Sequence, residues 1–360
     1  SQSSPLRSCK AASVMATEIW WNVFASKACQ FLRALGSIMV LIVLGLIGLT
    51  YYTTVVLVYG PLAGENTPDG KFATGVLVAY HALILMVLWS YFACVLTEPG
   101  RVPEGWNPPH EEDEETASNA ENGKSNSEKR RRFCRKCTAW KPERCHHCSV
   151  CSRCVLKMDH HCVWVANCVG AYNYKFFLLF LFYTFLATIF DAIVLLSNFV
   201  DFFKDLEANR EANAANGGNG GAGYGESKTM QDDSQVAKQG TGMAAVFVTF
   251  VLDVAFAASL LGFIIMHTNL ILSNMTTIEM YEKKKTLPWR YDLGHRKNFQ
   301  EVFGSNVFMW FIPVHSGDQL RRLLDISRLS GGSYPDMEED GLDPMLGPTK
   351  PGDNTSTRSS

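Results

Sequence analysis

Four long apolar runs alternate with polar segments along the chain. They cover residues 35–59, 72–96, 176–200 and 243–266, and each has few or no charged side chains. An α-helix needs about 20 such residues to cross the ~30 Å hydrocarbon core of a bilayer. The pattern therefore predicts four transmembrane helices. Buried helices of a large soluble protein are the alternative, but four runs of this length rarely coincide in one.

Polar segments divide the remainder of the chain. They are an N-terminal segment (1–34), a short loop (60–71), a linker (97–133), a Cys-rich domain (134–175), a flexible loop rich in Gly and Asn (201–242), a C-terminal region (267–315) and a tail expected to be disordered (316–360). The N-terminal segment has no pattern of a cleavable signal peptide. The predicted fold class is an all-α integral membrane protein with a small Cys-rich domain.

The distribution of Lys and Arg predicts the orientation in the membrane. Segments 1–34, 97–175 and 267–360 carry twenty-eight of these residues, whereas loops 60–71 and 201–242 carry five. Because positive charge accumulates on the cytosolic side, both termini and the Cys-rich domain are expected there, in an endomembrane or the plasma membrane. Cytosolic placement also keeps thiols reduced. The formal net charge of −2 does not favour a nucleic-acid partner.

The Cys-rich domain concentrates metal-ligand chemistry. The stretch from Cys134 to Cys168 contains eight of the eleven cysteines and four of the nine histidines, and three of its cysteine pairs have Cys-x2-Cys spacing. Such pairs hold one tetrahedral zinc ion. Two closed sites need eight ligands. Without Cys145 and Cys162, the six remaining cysteines with His147 and His161 supply them, although spacing alone does not divide them between two ions.

Cys162 directly follows Asp159, His160 and His161, so that a thiol, a base and an acid lie within four residues. A free thiol with a pKa near ~8.5 needs activation to attack at neutral pH. His160 is the natural base and Asp159 its orienting acid. The sequence indicates a zinc-stabilised scaffold that holds a nucleophilic cysteine.

These motifs resemble the DHHC protein S-acyltransferases over roughly residues 35–313. The resemblance rests on Lys141-Pro142-x-Arg144-x-His146-His147-Cys148, on Met158-Asp159-His160-His161-Cys162 and on Asn167-Cys168-Val169-Gly170. It implies a membrane enzyme in which Cys162 takes a fatty acyl group, expected to be palmitoyl, from acyl-CoA. The enzyme then passes it to a cysteine of a membrane-associated protein. Val163 and Ala166 replace the Pro and Asn of many family members.

The resemblance also implies roles for individual residues. One zinc ion would be held by Cys134, Cys137, His147 and Cys154, and the other by Cys148, Cys151, His161 and Cys168. Trp164, Phe177 and Phe180 match the lining of the acyl cavity, and Ala187 matches its closed end. Lys141, Arg144 and His146 are candidates for gripping CoA phosphates. Thr277 and Glu279 (within 276–279) and Asn298 match supporting motifs. The aromatic residues could instead pack or face lipid, and the basic residues could be structural.

Two features stand outside that pattern. Cys145 is an expected bystander, a competing ligand or an acylation site. His81, Asp191 and Asp253 are the strongly ionisable residues away from the ends of the apolar runs. Since ionisable groups in a membrane usually face the bundle interior and find partners, we expect them to form a polar cluster joining the second, third and fourth spans. Separate groups with separate partners are the alternative.

Two other functions fit parts of the sequence. A membrane-anchored zinc module, such as a RING-type ubiquitin ligase adaptor, would use every cysteine of the domain as a ligand, whereas Cys162 is spare. A channel or transporter would explain buried ionisable groups but not the Cys-rich domain. The sequence favours acyl transfer.

Overall fold

The structure is a computed structural model that describes residues 36, 38–108, 132–216, 230–282, 289 and 291–329. Most of the predicted linker (residues 109–131) and the predicted N-terminal segment 1–34 lie outside these residues. So does the chain beyond residue 329.

Four helices are long and apolar enough to cross a membrane. Helix α1 covers Ile38–Leu62, α2 Pro68–Leu96, α3 Tyr174–Asn216 and α4 Met230–Leu272, and the apolar parts of the last two are Tyr174–Ala208 and Gly242–Leu272. Large apolar side chains point outward from all four, as on Leu41, Val78, Ile193 and Phe263. In water this surface would be costly, and lipid removes that cost. The predicted all-α membrane fold is confirmed.

Two predicted irregular segments are partly helical. Helix α3 continues to Asn216 and α4 begins at Met230, so the predicted flexible loop 201–242 is helical at both ends. The part of the predicted tail from Gly317 to Leu329 forms a further helix, α7. Hydropathy marks where a helix leaves lipid but not where its backbone hydrogen bonds stop. Helix α7 also has leucines at 320, 323 and 324, the spacing of an amphipathic helix.

The Cys-rich domain consists of three antiparallel hairpins. Strand β1 (Arg132–Cys134) pairs with β2 (Ala139–Lys141), β3 (His146–Cys148) with β4 (Arg153–Val155), and β5 (His160–Cys162) with β6 (Asn167–Val169). The third hairpin adjoins the end of α2. There Asn167 Nδ2 donates to the Thr97 carbonyl at 2.9 Å, and buried Asn173 Nδ2 donates to the Cys94 carbonyl at 3.3 Å. These bonds fix the domain to one end of the helix bundle, called below the Cys-rich end.

Short helices follow α4: α5 (Thr277–Glu282), α6 (His295–Phe303) and a 3-10 helix (Val307–Phe311) before α7. Asn298 is fully buried and ties this region to the bundle. Its Nδ2 donates to the Leu272 carbonyl at 2.6 Å and to Asp292 Oδ1 at 2.7 Å.

A polar cluster lies inside the helix bundle, with a composition different from that expected. Asp191 and Asp253, 1% and 2% exposed, lie within hydrogen-bonding reach of each other. Thr54 Oγ1 of α1 donates to Asp191 Oδ1 at 2.5 Å. His81 has other partners: its Nε2 lies 3.1 Å from the hydroxyl of Tyr51 and its Nδ1 2.6 Å from the carbonyl of Leu77. The cluster therefore joins the first, third and fourth spans.

The local winding of α1 explains its part in this cluster. Residues Tyr52–Tyr59 form a π-helix, in which successive side chains are separated by a smaller angle than in an α-helix. Consecutive Thr53 and Thr54 are both fully buried, and Thr53 Oγ1 lies 2.9 Å from Thr249 Oγ1 of α4. Hydropathy does not distinguish a π-helix from an α-helix, so the apolar pattern does not predict α1 as the partner.

Candidate active site and metal centres

Two groups of cysteine and histidine side chains converge between the hairpins. In the first, the Nδ1 atom of His147 lies 3.5, 3.2 and 3.9 Å from the sulfurs of Cys134, Cys137 and Cys154. All four ligand atoms lie within 4.8 Å of one another. Burial of His147 is the main reason that its pKa is lowered. The lower pKa favours the neutral imidazole, which is the form that coordinates a metal ion.

The second group repeats this arrangement. The Nδ1 atom of His161 lies 3.7, 3.4 and 3.6 Å from the sulfurs of Cys148, Cys151 and Cys168. Ligands ~2.0–2.3 Å from one tetrahedral ion lie roughly 3.3–3.8 Å apart. Both groups therefore have the donor atoms and the spacing for a metal ion.

The three hairpins are copies of one unit at a spacing of fourteen residues. Cys134, Cys148 and Cys162 end their first strands, and each hairpin turns through a residue with positive φ, at 50°, 54° and 50° for Thr138, Ser152 and Ala166. The first two units continue with a second thiol three residues on, whereas the third has Val165, fully buried. Cys162 thus occupies the position equivalent to a metal-ligand cysteine, but its hairpin has no second cysteine to bind the same ion. The fourteen-residue repeat was visible in the sequence and was missed.

Asp159, His160 and Cys162 form a contiguous group at the third hairpin. The Nδ1 atom of His160 lies 2.6 Å from Asp159 Oδ2. Asp159 is 2% exposed and is held from its other side by Thr277, whose backbone N–H donates to Oδ1 at 2.9 Å and whose hydroxyl donates to the Asp159 carbonyl at 2.6 Å. Helix α5 therefore orients the carboxylate that orients the imidazole.

The surroundings of His160 favour its charged form. Burial opposes the positive charge, but hydrogen bonds to Asp159 and Cys162 outweigh it and raise the pKa of His160 to about 9. Two further rings enclose the imidazole: Phe177 at 5.1 Å and His267 at 6.1 Å between ring centroids. His267, 1% exposed, is itself 3.1 Å from the Tyr174 hydroxyl. The resemblance did not point to His267, which directly follows the fourth apolar run and belongs to no motif.

The residues expected to contact an acyl chain are only partly together. Phe177, Phe180 and Ala187 are buried in one apolar cluster that also contains Cys162. Trp164 is 44% exposed and lies at its edge, where the Tyr91 hydroxyl donates to its carbonyl at 3.0 Å. Three apolar side chains of α3 thus pack in the same cluster as Cys162.

Arg144 differs from the other basic candidates because its guanidinium is fully engaged. It donates to both oxygens of Glu279 at 2.6 Å and to Asn274 at 2.9 and 3.1 Å, and its carbon lies 4.5 Å from the Tyr291 ring centroid. Burial opposes the charge of Glu279, but the Arg144 bonds prevail and lower the Glu279 pKa. Of the two roles open to Arg144, this geometry fits the structural one.

Two remaining predictions concern single residues. Cys145 is fully buried against Cys134, Cys154 and Leu156, so its sulfur is not accessible to an acyl donor. Ala166 has a left-handed backbone with φ of 50°, a conformation that Asn adopts more readily. A Cβ atom added to Gly36 would lie only 3.0 Å from the Cβ of Ala166. The chain just before α1 therefore approaches this turn closely because residue 166 has a small side chain.

A Cys-rich domain with two four-ligand groups and a spare Cys–His–Asp set, mounted on four span-length helices, defines a multi-pass membrane protein with thiol chemistry at one end of its bundle. A family profile described as DHHC palmitoyltransferase matches residues 127–284. Probable protein S-acyltransferase 14 of Arabidopsis thaliana is 47% identical over 330 residues, which are 89% of this chain and 98% of that protein. Palmitoyltransferase ZDHHC2 of Homo sapiens is 30% identical over 313 residues, 81% of this chain and 75% of its own length. The chain belongs to the DHHC family of protein S-acyltransferases.

Proposed function

We propose that the protein transfers a fatty acyl group, palmitoyl in the first instance, from acyl-CoA to a cysteine of a membrane-associated protein, with Cys162 as the nucleophile. The observation that carries this proposal is the 2.6 Å contact between His160 Nδ1 and Asp159 Oδ2 beside a thiol outside both four-ligand groups. The orientation predicted from Lys and Arg puts this end of the bundle in the cytosol, where acyl-CoA and reduced protein thiols occur.

The reaction divides into two thioester exchanges. His160, held by Asp159, carries the proton released by Cys162, so that Cys162 attacks the acyl carbonyl as a thiolate. The new Cys162–acyl bond forms as the bond to the CoA sulfur breaks, and that sulfur leaves with the proton that His160 carried. In the second step a substrate thiolate attacks the acyl-Cys162 carbonyl, and Cys162 leaves as the thiolate. One thioester replaces another, so no ATP is needed.

The helix bundle supplies the place for the acyl chain. Exposing sixteen carbons to water costs on the order of 12 kcal/mol at ~0.8 kcal/mol per CH2. The apolar cluster of Phe177, Phe180 and Ala187 adjoins Cys162 and supports an acyl cavity in which the carbonyl stays at the sulfur. Ala187 is small, which favours a cavity deep enough for palmitoyl or longer chains.

A basic surface on the first two hairpins supports recognition of the CoA phosphates. Arg132 and Lys141 are directly opposite on β1 and β2, a pairing of like charges that is unfavourable until an anion neutralises it. His146 is half-buried nearby; burial and then the charge of Arg132 lower its pKa. We propose that Arg132, Lys141 and His146 bind the CoA phosphates, whereas Arg144 pairs with Glu279.

We propose zinc as the ion in both four-ligand groups, because three thiolates and one imidazole are its preferred structural donor set. When bound, zinc would hold the hairpins together and so fix the loop that presents Cys162. The chain's own residues carry out the acyl transfer.

Mass spectrometry of the purified protein after incubation with palmitoyl-CoA tests the proposal. We expect one hydroxylamine-sensitive acyl group on the peptide containing Cys162. It should be absent in Cys162→Ser, with the metal content of the protein unchanged. Cys94→Ala is the matched control, because Cys94 is another buried thiol of the same apolar cluster and should leave the acyl group in place. An acyl group retained by Cys162→Ser, or metal lost from it, contradicts the assignment.

A further inference from the structure

A short apolar segment near the end of the described chain faces outward. The 3-10 helix Val307–Phe311 reads VFMWF. Val307, Phe308 and Phe311 are 54%, 86% and 53% exposed, whereas Trp310 packs inward against the main apolar cluster. These three exposed residues are called here the aromatic wedge. A soluble surface rarely carries so much contiguous apolar area without a partner.

Two side chains of α3 anchor the segment to a membrane-spanning helix. Lys175 Nζ donates to the carbonyls of Met309 and Val314 at 2.7 and 2.6 Å. Further along α3, the Tyr183 hydroxyl donates to the Phe311 carbonyl at 2.7 Å. The wedge therefore lies alongside the first turns of α3 rather than beyond its end.

The hydrogen bond from Tyr183 shows how far along α3 the aromatic wedge lies. Tyr183 follows the start of α3 at Tyr174 by nine residues, which is ~13 Å along the helix axis at ~1.5 Å per residue. Its side chain leans toward the helix N-terminus, so the Phe311 carbonyl lies roughly 5–10 Å past the start of α3. That range is the depth at which interfacial elements insert, ~5–10 Å.

A second helix fixes the level of the lipid. Asn173, directly before α3, bonds to the Cys94 carbonyl of α2, so the start of α3 is level with Cys94. Leu96 of α2 lies beyond this level and is 79% exposed. The apolar surface of the bundle thus reaches past the start of α3, and the wedge lies within it.

Several backbone groups of the segment have hydrogen-bond partners within the protein, as backbone in contact with hydrocarbon requires. The Phe308 N–H donates to Asn306 Oδ1 at 3.0 Å, and the Ile312 N–H to the Met309 carbonyl at 3.4 Å. The carbonyls of Met309 and Phe311 receive the α3 donors described above. Lys175 is 2% exposed, and its third acceptor is Gln319 Oε1 at 3.4 Å. Lys175 therefore supplies these carbonyls with a donor that is itself shielded from solvent, which is compatible with a surrounding of lipid.

We propose that the aromatic wedge inserts into the acyl-chain layer of the leaflet at the Cys-rich end, with lipid acyl chains as its partner. Phe308 and Phe311 project into the hydrocarbon, while Lys175 and Tyr183 satisfy the backbone behind them. The region that carries Asn298 and α5 is thereby attached to the membrane at a second place besides α4. This inference concerns lipid contact and is independent of the acyl-transfer chemistry.

Photo-crosslinking of the full chain in nanodiscs of phosphatidylcholine and phosphatidylserine tests the proposal. Phe308→benzoylphenylalanine is the probe variant. Leu96→benzoylphenylalanine, at the exposed end of α2, is the positive control. Phe133→benzoylphenylalanine is the matched aromatic control, because Phe133 is 47% exposed on the first hairpin. Mass spectrometry of the peptides identifies what each probe has captured.

We expect lipid adducts at position 308 at a yield similar to that at 96 and about tenfold above that at 133, as a segment at insertion depth requires. The same yield at 308 and 133 would overturn the proposal. So would a protein adduct at 308, because a second copy of the chain would then cover the wedge.

Discussion

The clamp between Arg144 and Glu279 gives the sharpest stability prediction. It joins the loop between the first two hairpins to helix α5, and the side chains are 12% and 5% exposed. Solvent screening is therefore small, and removing one partner leaves the other charge buried. Such a loss typically costs ~3–5 kcal/mol. We expect Arg144→Ala to lower the free energy of unfolding by that order.

Arg144→Lys separates charge from geometry. Lysine keeps the positive charge but cannot form the planar two-point contact with Glu279 or reach Asn274 with a second donor. We expect an intermediate loss, ~1–3 kcal/mol, the size of a hydrogen bond to a charged group. A double-mutant cycle of Arg144→Met with Glu279→Gln should show strong coupling, because the second substitution removes the charge that the first left unpaired.

The assay is guanidinium unfolding of the detergent-solubilised protein, followed by tryptophan fluorescence and by release of bound metal. Arg101→Ala is the control, since Arg101 is an exposed arginine beside the same domain and should change stability by less than ~0.5 kcal/mol. Equal stability of the Arg144→Ala and Arg101→Ala proteins would refute the reasoning. An unchanged stability with a raised KM for acyl-CoA would instead return Arg144 to phosphate binding.

Three further outcomes can be checked with the same protein. Thr277→Val should slow acyl-enzyme formation about fivefold, because one hydrogen bond of ~1 kcal/mol to Asp159 is lost; Thr277→Ser should restore the rate, and an unchanged rate in the Val variant would contradict this. Ala166→Gly should raise the free energy of unfolding by ~1 kcal/mol by relieving the left-handed backbone, and a destabilised variant would show that the turn is not strained. Val165→Cys should make acyl-enzyme formation sensitive to added Zn2+, because Cys162 would gain a second thiol at ligand spacing; Val165→Ser is its control, and equal sensitivity of the two would contradict the repeat.

The sequence predicts those structural features that a single physical requirement determines. Lipid imposes length and apolarity on every span, so four helices follow from hydropathy alone. The sequence does not decide between phosphate binding and a structural role for Arg144, because a guanidinium suits both and only its distance to Glu279 distinguishes them. The polar cluster could not be assigned in full, since the local winding that turns both Thr53 and Thr54 inward leaves no signature in composition.

The fourteen-residue repeat explains how one thiol among eight remains available. Two hairpins contribute a cysteine pair each, and each pair is completed by the histidine and cysteine of the following hairpin. A third site would have to be completed by the residues fourteen positions after His161 and Cys168, which are Lys175 and Phe182 at the start of α3. Lys175 instead binds the carbonyls of Met309 and Val314, and Val165 replaces the second thiol. The array of metal sites therefore ends where the membrane helix begins, and Cys162 is the ligand position left over at that boundary. Cys162, the proposed nucleophile, therefore lies in the apolar cluster at the start of α3, where the acyl chain of the proposed reaction would be bound.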